Sequence, residues 1–323
     1  MSQATAPSWA APPVPTAHAA PTPGATPPPG PLPTGGDGPG AFQVVLISPD
    51  GYAHAAAFNE VAETVAYGLT RTGFDVTLAV NRLVHPGPPA VIFGANLLTP
   101  EEAQRLPDSV IIYNLEQIGR DNTWCSGTYL GLLQRCTVWD YSHRNVAALQ
   151  NMGARVIHVP VGYVPELTRI PDNVEQDIDV LFYGSMNPRR SAVIDQLRSL
   201  GLRAEAVFGV YGKERDALIA RSKVVLNLHY YATSIFELVR VSYLLANHKA
   251  VVAECHAGTD IDPDLLEAVA LADYAQLAAT CARLVADGTA RAALEERGHR
   301  VIAARDVTSY LAPAVRASLA LSR

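Results

Sequence analysis

Apolar positions along this chain change period in a regular way. Short apolar runs alternate with longer stretches in which apolar residues recur every three to four positions. The runs predict buried strands and the longer stretches predict helices packed on one face. The first run, Phe42-Gln43-Val44-Val45-Leu46-Ile47, stops at Ser48-Pro49-Asp50-Gly51. Phe58, Val61, Ala62, Val65 and Leu69 then share a helical face, and Gly73 ends it. Asp75 to Val80 is the second strand, completing a strand–helix–strand unit. Further strands are predicted at 90–94, 109–114, 137–140 and 155–160, with helices around 129–133 and 145–151. Thr99, Pro100, Glu101 and Glu102 mark another helix start: an N-cap hydroxyl, a proline at the first helical position and acids in the first turn.

A second series begins at Ile178. Strands are predicted at 180–183, 207–210, 224–229 and 250–254, with helices at 192–200, 213–222 and 234–247. Beyond Glu254 the pattern is helical, at 265–271, 274–287, 290–304 and 309–322. No internal repeat is visible. The expected fold class is α/β, with two facing Rossmann-like domains and a helical C-terminal tail. Residues 41–165 form the first domain, 166–177 a linker, and 178–323 the second domain with the C-terminal helices.

Residues 1–40 stand apart. Twelve of the 24 prolines fall there, together with one acid and no Lys or Arg. Proline lacks a backbone donor and the segment has little apolar mass, so an extended, disordered tail is expected. The whole chain carries a net charge of −6, which argues against a nucleic-acid-binding face. No apolar run reaches the length of a membrane span, and the N-terminus lacks a secretory pattern. Cys125, Cys136, Cys255 and Cys281 are scattered, as expected for reduced thiols in a cytoplasmic protein.

Ligand sites in open α/β sheets lie at the carboxyl ends of the strands. In the second domain those ends carry Gly184, Ser185, Arg189 and Arg190, then Tyr211 and Gly212, then His229 and Tyr230. Ser234, Glu237 and Arg240 follow at the start of the next helix. A helix N-terminus offers free N–H groups and partial positive charge, so with two nearby arginines this edge suits phosphates. The same arginines could instead pair with acids at a helix start. Glu237 either gains from the helix dipole or holds sugar hydroxyls, and Arg240 lies one turn on, placed to brace it. In the first domain the strand ends carry His54, Asn114, Glu116, Asp140, Tyr141 and Ser142. A general base for an acceptor hydroxyl is expected among them, with Asp140, Glu116 and His54 as candidates. Asp177-Ile178-Asp179 and Asp260-Ile261-Asp262 match a D-x-D metal pattern, but the first sits at the amino end of its strand and the second reads as a loop. Neither is expected to hold a metal. No G-x-G-x-x-G follows the first strand, so a dinucleotide fingerprint is absent.

The run Phe182-Tyr183-Gly184-Ser185-Met186-Asn187-Pro188-Arg189-Arg190, the segment Arg221 to His229, and the helix leading into Lys249-Ala250-Val251-Val252 resemble the donor domain of GT-B glycosyltransferases of group 1 type, including bacterial members known only as glycosyltransferase-like. That resemblance implies a nucleotide-sugar donor substrate, no cofactor and no essential metal, with Arg190 near the donor phosphates. The chain departs from the family pattern at its paired donor glutamates. Tyr243 stands at the second position, Glu237 is out of register, and Asn247-His248-Lys249 replaces a small-residue turn. The expected function is sugar transfer from a nucleotide sugar to a glycan, lipid or protein acceptor. A non-catalytic nucleotide- or glycan-binding module and a nucleotide-sugar 2-epimerase are the alternatives.

Overall fold

The computed structural model describes residues 40–119, 124–230 and 235–321. The first series folds as β1 (Ala41–Leu46), α1 (Asn59–Arg71), β2 (Asp75–Val80), β3 (Ala90–Phe93), α2 (Pro100–Arg105), β4 (Ile111–Asn114), α3 (Gly127–Arg135), β5 (Thr137–Asp140), α4 (His143–Asn151) and β6 (Arg155–His158). Its six strands order as β2-β1-β3-β4-β5-β6, all parallel. The second series gives β7 (Ile178–Tyr183), α5 (Pro188–Ser199), β8 (Ala204–Val207), α6 (Gly212–Ala220), β9 (Ser222–Asn227), α7 (Leu238–Ala246), β10 (Ala250–Glu254), β11 (Ala270–Ala272), α8 (Leu277–Ala286), α9 (Gly288–Ala303) and α10 (Val307–Leu321). Its five strands order as β11-β10-β9-β7-β8, again parallel. Both sheets are covered by helices, which is why their central strands read as unbroken apolar runs.

Local chemistry sets the helix starts. Thr99 and Glu102 form a reciprocal capping box at α2. Ser126, Ser142 and Asn187 each accept a backbone N–H at the starts of α3, α4 and α5. The Asn187 cap, with Pro188 at the first helical position, starts α5 four residues before the predicted Ala192. Arg189 and Arg190 therefore lie in its first turn, not in a loop. Three other expectations shift. β8 ends at Val207, leaving 208–211 as the loop before α6. α7 starts at Leu238 with Glu237 as its N-cap, and Ser234 lies outside the described residues. Ala270–Ala272 pairs with β10 as an edge strand where a helix was expected, since a short apolar run suits either state.

The last helix returns to the first sheet. α10 packs against α1 at Gly68, where an added Cβ would lie 2.5 Å from Val307 Cγ1 and 2.6 Å from Leu311 Cδ1. Trp139 Nε1 donates to Ser318 Oγ across 2.9 Å. No described helix is long and apolar enough to cross a membrane.

The two series are tied by a polar network. Arg215 of α6 donates to Glu60 Oε1 of α1 at 2.7 Å and to Asp216 Oδ1 at 2.7 Å. The Tyr243 hydroxyl donates to Asp216 Oδ2 at 2.8 Å, and Arg169 Nε donates back to that hydroxyl at 3.2 Å. Arg169 Nη1 then reaches Glu63 Oε2 at 2.5 Å. Asn247 Oδ1 accepts the Arg169 and Ile170 backbone N–H groups, pinning the connecting segment to α7. Arg215 and Glu60 are buried, so removing one charge strands the other. Arg215→Ala is expected to lower the stability of the folded chain by about 3–5 kcal/mol. Adding Glu60→Gln should restore part of that loss. Urea unfolding measures both, and a single-variant loss below about 1 kcal/mol would mean the pair does not hold the two series together.

Candidate functional site

Gly184 follows β7 with φ of +144°, in the region that glycine favours. A Cβ added there would lie 3.3 Å from Arg240 Nη2. Arg240 sits above the Tyr183 ring, its guanidinium carbon 5.2 Å from the ring centre. It donates to Asn227 Oδ1 at 3.1 Å and pairs with Glu237 Oε2 at 2.8 Å. Gly184, Glu237 and Arg240 thus come together at the carboxyl edge of the second sheet. Asn227, which sequence reasoning missed, completes this group. The available signal was its place as the single polar residue ending an apolar strand.

The other two arginines serve the fold. Arg189 makes a paired-nitrogen contact to the buried Glu254 carboxylate, Nη1 to Oε2 at 2.7 Å and Nη2 to Oε1. Its guanidinium carbon lies 4.0 Å from the centre of the Tyr274 ring, whose hydroxyl donates to the Arg189 carbonyl. Arg190 is 3% exposed. It donates to the carbonyls of Ser185 (2.7 Å) and Leu228, and its Nη2 lies 3.5 Å from Glu237 Oε1. Burial pulls the Arg190 guanidinium down to about 10, against the pull of Glu237. An arginine enclosed by carbonyls holds its own loop and offers little to a phosphate. The first-turn position of Arg190 turns its side chain inward, whereas a loop position was expected. His229 is buried, and neither ring nitrogen has a hydrogen-bond partner among the described residues. Tyr230 is exposed beside Arg190.

At the first sheet, parallel register lines up Asn114, Asp140 and His158 at the ends of β4, β5 and β6. Asp140 is 0% exposed. It accepts from Asn114 Nδ2 (2.5 Å), the Ser142 backbone N–H (2.8 Å) and Asn145 Nδ2 (3.3 Å). Asn114 Oδ1 in turn accepts from the Tyr129 hydroxyl at 2.6 Å. Asp140 is therefore the hub of a buried network. Tyr141 is buried as well, and Ser142 Oγ donates to Asp260 Oδ2 of the second series at 2.9 Å. Glu116 is less buried than Asp140. It is half-buried, and its Oε1 accepts from Asn96 Nδ2 at 3.1 Å. His54 Nδ1 shares a 2.7 Å hydrogen bond with the Tyr211 hydroxyl, joining the two edges. Burial lowers the His54 pKa and pushes the Tyr211 hydroxyl up to about 12, so both are neutral at pH 7. Gly212 opens α6 with φ of +56°.

The D-x-D segments are engaged by cations. Asp177 pairs with Arg221, and Asp179 with Lys223 Nζ (2.7 Å) and Arg203. Asp262 pairs with Arg305. Among the described residues no cluster of three or more His, Cys, Asp or Glu forms a metal-holding set.

Two parallel sheets facing each other through their carboxyl edges can be compared with solved structures. AviGT4, a glycosyltransferase involved in avilamycin A biosynthesis, superposes with a TM-score of 0.55 at 17% identity over 87% of this chain and 98% of its own. The fold is GT-B. WaaG, a glycosyltransferase involved in lipopolysaccharide biosynthesis, gives a TM-score of 0.56 at 11% identity, over 85% and 98% of the two chains. HepE of Anabaena, solved with UDP, gives 0.53 at 12% identity, over 86% and 100%. No protein-family profile matches the sequence. An uncharacterised protein of Acanthamoeba polyphaga mimivirus is 35% identical over 103 residues, 30% of this chain and 33% of that protein. A second from the same virus is 26% identical over 195 residues, 57% of this chain and 65% of that protein. The chain thus spans about a third of the first viral relative and under two thirds of the second. Gly184, Glu237 and Arg240 lie together on the second series, over the buried Asn227, and His54 and Glu116 belong to the first.

Burial pushes the Asp140 carboxyl up to about 7, against the three N–H donors that favour its charged form. An acid with a folded pKa above its unfolded value holds its proton more tightly when folded. Its contribution to stability is complete below about pH 4 and declines as pH rises to about 7, with a slope of at most about 1.4 kcal/mol per pH unit. Asp140→Asn should flatten this part of the pH–stability curve. Chemical denaturation from pH 4 to 8 checks it, and an unchanged slope in the variant would show that Asp140 is ionised throughout.

Proposed function

We propose that this chain is a glycosyltransferase that moves a sugar from a nucleotide-sugar donor to an acceptor hydroxyl without an essential metal. The observation that carries the reading is the pairing of edges across one GT-B cleft. Arg240 lies against Gly184 in the second series, and the half-buried Glu116 accepts from Asn96 in the first. The second series is the donor half and the first is the acceptor half. Arg240 would neutralise the donor diphosphate, a charge-assisted contact that strengthens as negative charge collects on the leaving group. Glu237 holds Arg240 in that position. Glu116 would take the proton from the acceptor hydroxyl as it attacks the anomeric carbon, with the Asn96 amide fixing the carboxylate. A nucleotide donor is consistent with the UDP complex of HepE. Independence from metal fits the occupation of Asp177, Asp179 and Asp262 by arginine and lysine. The unpaired thiols suit a reducing, cytoplasmic setting.

One observation favours a second reading, a nucleotide- or glycan-binding module without turnover. Tyr243, at the position of a donor glutamate in the resembled family, is committed to the network between the two series.

A panel of nucleotide sugars, titrated by calorimetry and assayed for nucleoside diphosphate release, separates these readings. At least one donor should bind, and Arg240→Ala should weaken it about 10- to 100-fold. Glu116→Gln should keep that affinity while lowering turnover by about 10²-fold or more. Binding without any release supports the second reading. No binding, or an Arg240→Ala variant that binds as well as the parent, refutes the proposed donor site.

A further inference from the structure

Two fully buried asparagines clamp the turn that follows β4. Asn114 holds both backbone groups of Glu116. Its Nδ2 donates to the Glu116 carbonyl at 2.8 Å, and its Oδ1 accepts the Glu116 N–H at 3.1 Å. Asn145, in the first turn of α4, grips the same turn. Its Nδ2 donates to the Glu116 carbonyl at 2.9 Å, and its Oδ1 accepts the Ile118 N–H at 2.9 Å. These bonds set the course of the backbone from Glu116 to Ile118. They depend on which way each amide faces, because turning an amide over exchanges its donor and acceptor ends. The Tyr129 hydroxyl, which donates to Asn114 Oδ1 at 2.6 Å, can serve either end. Asp140 sets the orientation. Nδ2 of both asparagines donates to its carboxylate, at 2.5 Å from Asn114 and 3.3 Å from Asn145, and the Ser142 N–H is a third donor at 2.8 Å. An ionised carboxylate accepts all three. A protonated one places an O–H among N–H donors and needs an acceptor. Oδ1 of either asparagine can supply it, but an amide that turns over to do so withdraws its donor from the Glu116 carbonyl and its acceptor from the Glu116 or Ile118 N–H.

We infer that Asp140 is a positioning residue for Glu116: its ionised carboxylate locks the two asparagine amides in the orientation that clamps the Glu116 turn, and its protonation releases that turn. The catalytic consequence rests on the glycosyltransferase reading above, in which Glu116 takes the acceptor proton; the clamp itself does not. Burial raises the Asp140 carboxyl to about 7, which puts the change of state near neutral pH. The titratable groups facing Asp140 come from several elements. Tyr113 on β4, Tyr129 on α3 and the adjacent Tyr141 are buried phenols held above their ordinary value. His158 stands opposite Asp140 in the β5–β6 register, and burial lowers it. Asp260 of the second series approaches through the Ser142 hydroxyl and adds to the rise at Asp140.

The test is an NMR titration of the full chain, isotope-labelled at asparagine and glutamate, across neutral pH and with no substrate added. The side-chain NH2 signals of Asn114 and Asn145, assigned through Asn114→Ser and Asn145→Ser, should shift together with the Glu116 backbone N–H, at one midpoint of about 7. In Asp140→Asn that midpoint should vanish. Side-chain amides that do not titrate overturn the inference, as does a Glu116 N–H that stays still while they do. A midpoint that survives in Asp140→Asn belongs to another group, such as His158, and overturns it too. Asn145→Ser is the second variant, and it should speed hydrogen exchange at the Ile118 N–H about tenfold or more. Unchanged exchange there contradicts the clamp. With a donor that is turned over, kcat should fall about tenfold per pH unit below the same midpoint while donor affinity stays level, and Asp140→Asn should lose this limb. Amides that titrate as stated beside a kcat without that limb would uphold the clamp and refute Glu116 as the base.

Discussion

The pair between Glu60 and Arg215 is the contact on which the rest of the molecule depends. One apolar cluster runs through both series, with a further cluster confined to each, but a two-walled cleft needs the two carboxyl edges to face each other. Arg215 and Glu60 bring α6 to α1, and the chain through Asp216, Tyr243, Arg169 and Glu63 carries the same link into α7 and the connecting segment. A buried ion pair is a weak source of net stability but a demanding one in geometry, because each charge needs its partner in place. The cost of separation therefore fixes which edge meets which. The His54–Tyr211 bond and the Ser142–Asp260 bond then form at the open side of the same interface.

This assignment of Tyr243 has a consequence for chemistry. Tyr243 is tied to Asp216 and Arg169, so in the proposed reading donor recognition falls on Arg240, Glu237 and the Gly184 backbone, with Asn227 holding Arg240 from beneath. The three arginines near the edge divide by surroundings. Arg189 is matched by a buried carboxylate and Arg190 by carbonyls, so both fix the loop that they first seemed to offer to a ligand. Arg240 is held by Asn227 and Glu237 over the Tyr183 ring, beside Gly184.

Most of the fold was legible in the amino-acid pattern. Central strands of a parallel sheet are apolar on both faces, and helices such as α1 carry a period that no strand imitates. The errors lie at boundaries and ends. Asn187 and Pro188 read as loop residues, yet together they cap and begin a helix, which turned Arg189 and Arg190 from loop donors into first-turn residues. Val269 to Ala272 is too short for its period to separate strand from helix. The site was legible only as a list of strand ends. Asp140 and Glu116 have the same chemistry and equivalent places in the sequence, but burial divides them, and burial depends on side chains contributed from Asn145 and Tyr129. Asn96 was missed because its type does not signal catalysis, and its 3.1 Å bond to Glu116 is a tertiary fact.

The central claim is that a nucleotide sugar occupies the wall formed by Gly184, Asn227, Glu237 and Arg240. A crystal structure of the protein with a nucleoside diphosphate sugar tests it most directly. The account predicts diphosphate oxygens within hydrogen-bonding distance of Arg240 and the backbone after Gly184, with the sugar directed toward Glu116. A diphosphate held elsewhere, with Arg240 still turned to Glu237 and Asn227 and nothing between it and Gly184, would contradict it.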